Sequence, residues 1–412
     1  MPFTRRQFLS AAAASASTAA ILSQAVLLSQ ANAQSAEPPK IAGFDETGTR
    51  FDETHPWEKF TDRKVRVGLV GFGLCRFSAQ FGLQSHPNAE VVAVSDLIPE
   101  RCQQLAETVH CPKTYPSLEE MLKDDSIEAV FLATDAPSHC RQAISALKRG
   151  KHVASAVPAV FGNLEEAQEL YETVRQNPGL VYSMFETTAY RDSCYAMRQL
   201  YRAGAFGRMV YSEGEYFHYG VETLGSFREW RTGLPPMLYP THSNGFYCCV
   251  TGGSFTEVSC MGIPSVQERF RPENNSYRNS FGTEIALFRT SEGGMARMGV
   301  SWDTPHFEGE KGRCRGDFGS YEGEWKGVGV GVEKSKGLSL LKPALPPGME
   351  AGGHGGSHGY LGNDFIDAIL RNRKPLVDVK MALDLSVSGA IAHQSALKDG
   401  ELLKIPQFEP LG

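Results

Sequence analysis

The chain has 412 residues, of which 41% are apolar and 21% charged, with a formal net charge of −6 at pH 7. That length allows two domains of ordinary size behind a leader, and the mild acidity, with no basic cluster or aromatic-interleaved basic strip, argues against a nucleic-acid partner. The nine cysteines are scattered and odd in number, with a vicinal pair at Cys248-Cys249 and no CxxC spacing, so neither a disulfide framework nor a zinc site follows from them.

In chain order the first segment reads as an address. Arg5-Arg6 followed by Gln7-Phe8-Leu9 opens an Ala-rich apolar run that ends at Ala31-Asn32-Ala33, which supplies an n-region, an h-region and a small-residue cleavage site. The twin arginines point to the Tat route. That route carries folded proteins, as a protein that loads a nucleotide before leaving the cytosol requires. Ser10, Ser15, Ser17, Ser23 and Gln24 interrupt the run, so a cleaved signal is expected rather than a membrane anchor. No later stretch reaches the ~18 consecutive apolar residues of a spanning helix. Residues 1–33 are read as signal, 34–62 as a polar leader, and the periplasm as the destination.

Val65, Val67, Leu69 and Val70 then form a short apolar run that stops at Gly71-Phe72-Gly73, and a second run, 91–94, stops before Asp96. The order strand, glycine turn, helix, strand, acid is that of a dinucleotide site. Gly71 permits the tight turn, Gly73 lets the backbone approach a pyrophosphate, and the following helix offers its N-terminal amides to the phosphates. Asp96 lies at the distance, roughly 20 residues on, where a carboxylate binds ribose hydroxyls, which favours NAD over NADP. The third small residue of the pattern is replaced by Arg76. The glycines alone would also suit an ordinary βα turn.

Apolar runs at 65–70, 90–95, 128–133, 152–154 and 180–183 are separated by amphipathic segments at 101–109, 138–148 and 164–174. That alternation predicts a Rossmann-type doubly wound parallel sheet over 63–186, covered on both faces. Ser117-Leu118-Glu119-Glu120 has the form of a capping box. Near Tyr190 the pattern changes. A helix at 191–203 precedes alternating segments at 209–218, 255–261, 281–289 and 295–301, which predict an α+β domain over 187–412 built on a large, mostly antiparallel open sheet. Its open face suits self-association into a homo-oligomer. Residues 338–359 are Gly- and Pro-rich loop, and helices at 360–371 and 381–398 close the chain.

Taken together these residues resemble the Gfo/Idh/MocA family of NAD(P)-dependent, mostly sugar-handling proteins, from residue 65 to about 408. The likeness rests on Gly71-Phe72-Gly73, Val94-Ser95-Asp96, the segment Ala133-Thr134-Asp135-Ala136-Pro137-Ser138-His139, Gly150-Lys151-His152-Val153 and Gly204-Ala205-Phe206-Gly207. It implies that the loop 134–139 lies beside the nicotinamide half of the cofactor. Thr134, Pro137, His139 and Pro158 then join Gly71, Gly73 and Asp96 around NAD. Two positions depart from the family's dehydrogenases: Ala156-Val157-Pro158 stands where they carry Glu-Lys-Pro, and Leu238 stands where an Asp precedes the catalytic His. The pattern is similar instead to the branch holding NAD-dependent glycoside hydrolases of the α-N-acetylgalactosaminidase type. Val153-Ala154-Ser155-Ala156-Val157-Pro158, Glu215-Tyr216-Phe217-His218, Tyr239-Pro240-Thr241-His242 and Gly352-Gly353-His354-Gly355-Gly356-Ser357-His358 carry that likeness. The branch has Glu-Val-Pro where this chain has Ala156-Val157-Pro158.

Hydride removal from a carbinol needs a base for the hydroxyl proton, and a side chain titrating near neutrality serves best. His242, in a loop or helix start and matching the family position, is the expected acid/base. Tyr190 and Tyr239 are expected to assist through their hydroxyls. Glu186 and Glu215 are carboxylates near the domain junction that either pair with an arginine or act on substrate, and His218 faces either water or the pocket. His354 and His358 sit in a glycine-rich loop able to close over a ligand, but supply only two of the three ligands a metal needs, so no metal is expected. The expected function is an exported NAD-dependent oxidoreductase acting on a sugar, cyclitol or glycoside. A glycoside hydrolase working by transient oxidation and elimination, and a non-catalytic nucleotide-binding scaffold or sensor, are the alternatives.

Overall fold

The computed structural model describes residues 57–220 and 224–411; the twin arginines, the A-x-A site and most of the expected leader lie outside the described residues. Six strands, β1 (Val65–Val70), β2 (Ala89–Ser95), β3 (Thr114–Tyr115), β4 (Ala129–Leu132), β5 (His152–Ser155) and β6 (Tyr182–Met184), form one sheet in the order β3-β2-β1-β4-β5-β6. Every pairing in it is parallel. Parallel strands must be buried on both faces, which is why these runs are nearly continuously apolar. Val130, Leu132 and Val153 pack towards the helices His139–Lys148 and Leu164–Gln176. Val65, Val67, Leu69 and Phe131 pack on the other face against Leu105 of the helix Pro99–Thr108 and Leu361, Phe365 and Ile366 of the helix His358–Arg371. The chain's C-terminal third thus returns to close the first sheet. Strand order reverses between β1 and β4, and that switch point opens a crevice at the carboxyl ends of the strands.

The second sheet has eight strands: β7 (Met209–Phe217), β8 (Phe255–Pro264), β9 (Phe281–Thr290), β10 (Met295–Ser301), β11 (Gly309–Gly316), β12 (Gly319–Glu322), β13 (Glu324–Gly327) and β14 (Leu403–Lys404). Their order is β13-β12-β11-β7-β10-β9-β8-β14, antiparallel except where β10 runs parallel to β7. Alternation sorts the residues. Val258, Cys260, Phe288, Met298 and Val300 are buried in the core beneath the helices Thr241–Thr251 and Val379–Ala396, whereas Met261, Ile263, Leu287 and Met295 are exposed. On the open face Arg297 bridges Glu213 and Glu215, so Glu215 serves the sheet surface.

The helix Thr241–Thr251 lies unusually close to this sheet, and the sequence explains how. Gly214 on β7 pairs with Gly312 on β11. A Cβ at Gly214 would stand 2.0 Å from the carbonyl oxygen of Ser243, and one at Gly312 2.1 Å from the Phe246 ring. Two paired glycines therefore form a groove that seats the first turns of the helix, and with them His242.

Candidate active site

Two adjoining cavities occupy the crevice. The first, of about 160 Å³, is lined by the glycine turn, Ser95, Asp96, Arg101, Thr134 and Gln142. Gly71 has φ +92°, and a Cβ there would stand 2.5 Å from the carbonyl oxygen of Ala133, so no other residue fits the crossing of β1 and β4. At Gly73 a Cβ would meet no heavy atom within 4 Å. Nothing in the fold demands glycine at that position, yet the space beside its backbone is open to the cavity. The Asp96 carboxylate accepts the Phe72 N–H at 2.6 Å and the Ile98 N–H at 2.8 Å, which fixes it at the tip of β2 with lone pairs to spare for hydroxyl donors. Arg76 and Arg101 also line this cavity and form no ion pair among the described residues.

One expectation is corrected here. The helix after the glycine turn is only Phe77–Gln80, because Arg76 adopts a left-handed conformation (φ 50°) and Gly82 breaks the chain again. So short a helix has no effective dipole terminus, and the unpaired arginines and turn amides are left to meet the phosphates.

The second cavity, about 290 Å³, shares Cys75, Thr134, Trp230 and Arg231 with the first. Its walls include Tyr216, Tyr239, His242, His354 and Ala156. His242 is the second residue of its helix and is 4% exposed. Its Nδ1 lies 2.8 Å from Glu186 Oε1 and 3.2 Å from the Thr187 hydroxyl, which leaves Nε2 as the working nitrogen. Glu186 caps the turn Thr187–Tyr190 through the Thr188 N–H (2.8 Å) and is fully buried. Glu310, on β11, accepts from the hydroxyls of Thr188 (2.9 Å) and Thr187 (3.3 Å) and lies 3.3 Å from Arg191. Burial alone would lower the pKa of His242, but the charges of Glu186 and Glu310 outweigh it and hold the ring above the ordinary histidine range. Although burial works against it, His242 in turn holds Glu186 below the ordinary carboxylate range.

His354 behaves in the opposite way. Its ring lies 6.4 Å from that of His242, centroid to centroid, and its Nδ1 is 2.8 Å from His358 Nε2. Burial, reinforced by the neighbouring His242, lowers its pKa. One cavity therefore holds two histidines whose proton affinities are pushed in opposite directions, that of His242 upward by Glu186 and Glu310 and that of His354 downward by burial. Environments that push two titratable groups apart in this way divide the acid role from the base role.

Glu186, His242 and Glu310 bring ligand atoms within 4.8 Å of one another, all buried. Within the cluster Glu186 is partnered by His242 at 2.8 Å and Glu310 by Arg191 at 3.3 Å.

The other expected site residues divide. Tyr239 lines the second cavity, its ring stacked on Trp230 at 6.2 Å, and burial pushes its phenol up to about 12. Tyr190 lines neither cavity: its ring stacks on Tyr360 at 5.7 Å and its carbonyl accepts from Lys342. Thr134 borders both cavities. His139 reaches the second, but its ring nitrogens lie 3.1 Å from the Pro158 carbonyl and 3.3 Å from that of Thr134, so it braces the loop. Pro137 and Pro158 stand outside both linings. His218 lines the second cavity beside Glu308, and His358 stacks on Phe81 at 4.2 Å. Sequence reasoning did not find Tyr216, whose ring is 4.5 Å from His242, nor Trp230, Arg231 and Glu310. Glu215-Tyr216-Phe217-His218 held a signal for the first, because Glu215 and Tyr216 must face opposite sides of the strand.

Comparisons with known proteins agree with this architecture. Residues 65–185 match the Gfo/Idh/MocA model, described as an oxidoreductase family with an NAD-binding Rossmann fold. A glycosyl hydrolase family 109 protein of Saccharopolyspora erythraea is 24% identical over 99% of this chain and 94% of its own. Glycosyl hydrolase family 109 protein 1 of Bacteroides thetaiotaomicron is 31% identical over 208 residues; the match spans 45% of this chain and only 42% of that relative. Among solved structures, levoglucosan dehydrogenase in complex with NADH and levoglucosan is 18% identical, with a TM-score of 0.67 over 84% of this chain and 100% of its own. The scyllo-inositol dehydrogenase of Lactobacillus casei with bound NAD(H) and scyllo-inositol is 16% identical, with a TM-score of 0.64 over 83% and 99%. At such identities the structures establish the shared fold.

Proposed function

The chain carries the NAD-binding Rossmann domain of the Gfo/Idh/MocA oxidoreductase family, and from that premise we propose that it is exported and acts on a hydroxyl-bearing carbon of a sugar, cyclitol or glycoside. The residues fit the cofactor: an open cradle at Gly73, a fixed carboxylate at Asp96 and two unpaired arginines beside them. When bound there, NAD supplies the hydride acceptor and, reduced, the donor. Asp96 selects it over NADP by repelling a 2′-phosphate.

The observation that carries the reading is the buried His242, held at 2.8 Å by Glu186 in the adjoining cavity with the His354 ring 6.4 Å away. His242, held by Glu186, exchanges a proton with the substrate oxygen through Nε2. Oxidation requires its neutral form and reduction its protonated one. Trp230, Tyr216 and Tyr239 present ring surface to the apolar face of a sugar, and the Tyr239 hydroxyl hydrogen-bonds to it.

A second reading is favoured by His354. A plain dehydrogenase needs one acid/base, and this cavity places the His354 ring 6.4 Å from that of His242. In a transient oxidation, His354 in its neutral form takes the proton from the C–H beside the ketone and passes it to the departing glycosidic oxygen, while His242 keeps its proton against the ketone oxygen. Water would then add to the unsaturated ketone, and the reduced cofactor held at Gly73 and Asp96 would supply the hydride that restores the hydroxyl. The family 109 relatives fit this outcome. No observation favours the scaffold reading, because both imidazoles reach the cavity.

The twin arginines support export to the periplasm, and the exposed Met261, Ile263, Leu287 and Met295 on the open sheet face support self-association with a second copy. The mass and absorbance of any nucleotide that co-purifies with the native exported protein test the proposal. NAD or NADH is expected; NADP, or a protein that neither carries nor takes up NAD, would overturn it.

A further inference from the structure

His354 enters the cavity from a single four-residue turn, Gly353–Gly356, in which His354 and Gly355 depart from helical backbone angles. Gly352, His354, Gly355 and Gly356 all have left-handed backbone conformations, with φ of 75°, 49°, 68° and 73°. His354 adopts an angle that a side chain resists. Something must over-determine so unfavourable a path.

Lys342 is placed to do so. Its ammonium donates to the carbonyls of Gly356 (2.7 Å) and Tyr190 (2.8 Å), approaches that of Gly355 at 3.5 Å, and pairs with Asp192 at 2.9 Å. Its side chain is only 8% exposed, and Nζ lies 4.7 Å from the centroid of the Tyr360 ring. Three protons thus meet two carbonyls and a carboxylate, which uses the full capacity of an ammonium. The segments joined are the His354 loop, the last residue of the turn Thr187–Tyr190 and the start of the helix Asp192–Arg202. That turn begins at Glu186, the carboxylate that holds His242. One cation therefore sets the spacing between the anchors of the two histidines. Arg191 braces the same loop, since a Cβ on Gly355 would stand 3.0 Å from its Cζ. Burying an ammonium is costly unless its hydrogen bonds are needed, and an apolar side chain would fill the same space without that penalty.

We infer that Lys342 is a positioning residue that clamps the Gly352–Gly356 loop and so fixes His354 against His242. The inference rests on the reading of His354 as the second proton carrier.

The test replaces Lys342→Ala in the full NAD-loaded protein and reads two quantities, hydrogen exchange of the amides at 352–357 and turnover. Exchange should become roughly tenfold faster, and kcat should fall roughly 10²-fold, the scale of a misplaced catalytic group, with NAD affinity unchanged. Added n-propylammonium, which refills the vacated space, should restore both, and it should do nothing for Lys342→Met. Parental exchange in Lys342→Ala overturns the clamp, whatever the turnover. Fast exchange with parental turnover keeps the clamp and overturns instead the role given to His354. Should the Ala variant not fold, Lys342→Arg keeps the charge but not the compact ammonium, and the same exchange measurement decides: faster exchange supports the clamp and parental exchange overturns it.

Discussion

Gly71 and Gly73 stand two residues apart in one turn, yet the structure assigns them different tasks that substitution separates. A Cβ on Gly71 would stand 2.5 Å from the carbonyl oxygen and 2.8 Å from the carbonyl carbon of Ala133, both backbone atoms that cannot swing aside, and the residue sits at φ +92°. The backbone strain is worth about 1–3 kcal/mol and the overpacking about as much again. Gly71→Ala should therefore destabilise the apo-protein by roughly 3 kcal/mol, and at roughly 2–4 °C per kcal/mol for a domain of this size its Tm should fall by about 6–12 °C. At Gly73 the methyl would meet nothing within 4 Å, so Gly73→Ala should change stability by no more than about 0.5 kcal/mol. The methyl would nevertheless stand where the pyrophosphate approaches the backbone. NAD should bind at least tenfold more weakly, a loss of about 1.4 kcal/mol. Thermal unfolding of the apo-proteins and fluorescence titration with NAD measure both effects. If Gly73→Ala bound NAD like the parent, or Gly71→Ala melted with it, the cofactor cradle would be misassigned.

His242→Ala should keep the fold and NAD affinity, since it touches neither the glycine turn nor Asp96, and lose roughly 10² to 10⁴-fold in turnover; parental turnover would return His242 to a packing role. Because Glu186 and Glu310 hold the His242 pKa above its ordinary value, oxidation should rise as pH climbs through that raised pKa and reduction should fade over the same range. Glu186→Gln removes one of those charges while keeping an acceptor for Nδ1–H, so the acid limb of the oxidation profile should move to lower pH. A limb that stays put or moves up would refute the dyad. Arg5→Lys with Arg6→Lys should leave folded, NAD-loaded protein in the cytosol on fractionation, and unchanged export would mean that the general secretory route carries it.

The elements with strong periodicity were legible. The strands β1, β2, β4, β5 and β6 are continuous apolar runs because both sheet faces are covered, and β7 to β10 alternate because one face is open. The strands β11 to β13 carry Gly and charge at 309–327 and gave no such signal, because their ordering comes from pairing with β7 and with each other. Arg76 broke the expected helix after the glycine turn, an effect of one left-handed residue that hydrophobic pattern does not register. In the site, His242 stood out by its motif. Its partner Glu186 is 56 residues away, and Glu310 lies 123 residues from the Thr187 hydroxyl that it accepts from, contacts that only the packing of the helix onto β7 and β11 creates. Tyr190 looked as suitable as Tyr239 for an assisting hydroxyl in sequence, but the turn that places Glu186 under His242 directs the Tyr190 ring onto Tyr360.

The central claim is that this chain moves a hydride between NAD and a carbohydrate carbon, and turnover in heavy water tests it most directly. The NAD-loaded protein is incubated with a panel of sugars, cyclitols and glycosides while the absorbance of reduced nicotinamide and the mass of the products are followed. The account predicts that at least one member either accumulates reduced cofactor, as a dehydrogenase would, or gains deuterium beside the oxidised carbon without such accumulation, as transient oxidation would. Loss of both signals in His242→Ala should accompany either result. A fully NAD-loaded protein that turned over a glycoside with neither reduced cofactor nor deuterium on carbon would contradict the account, because hydrolysis would then proceed without hydride transfer.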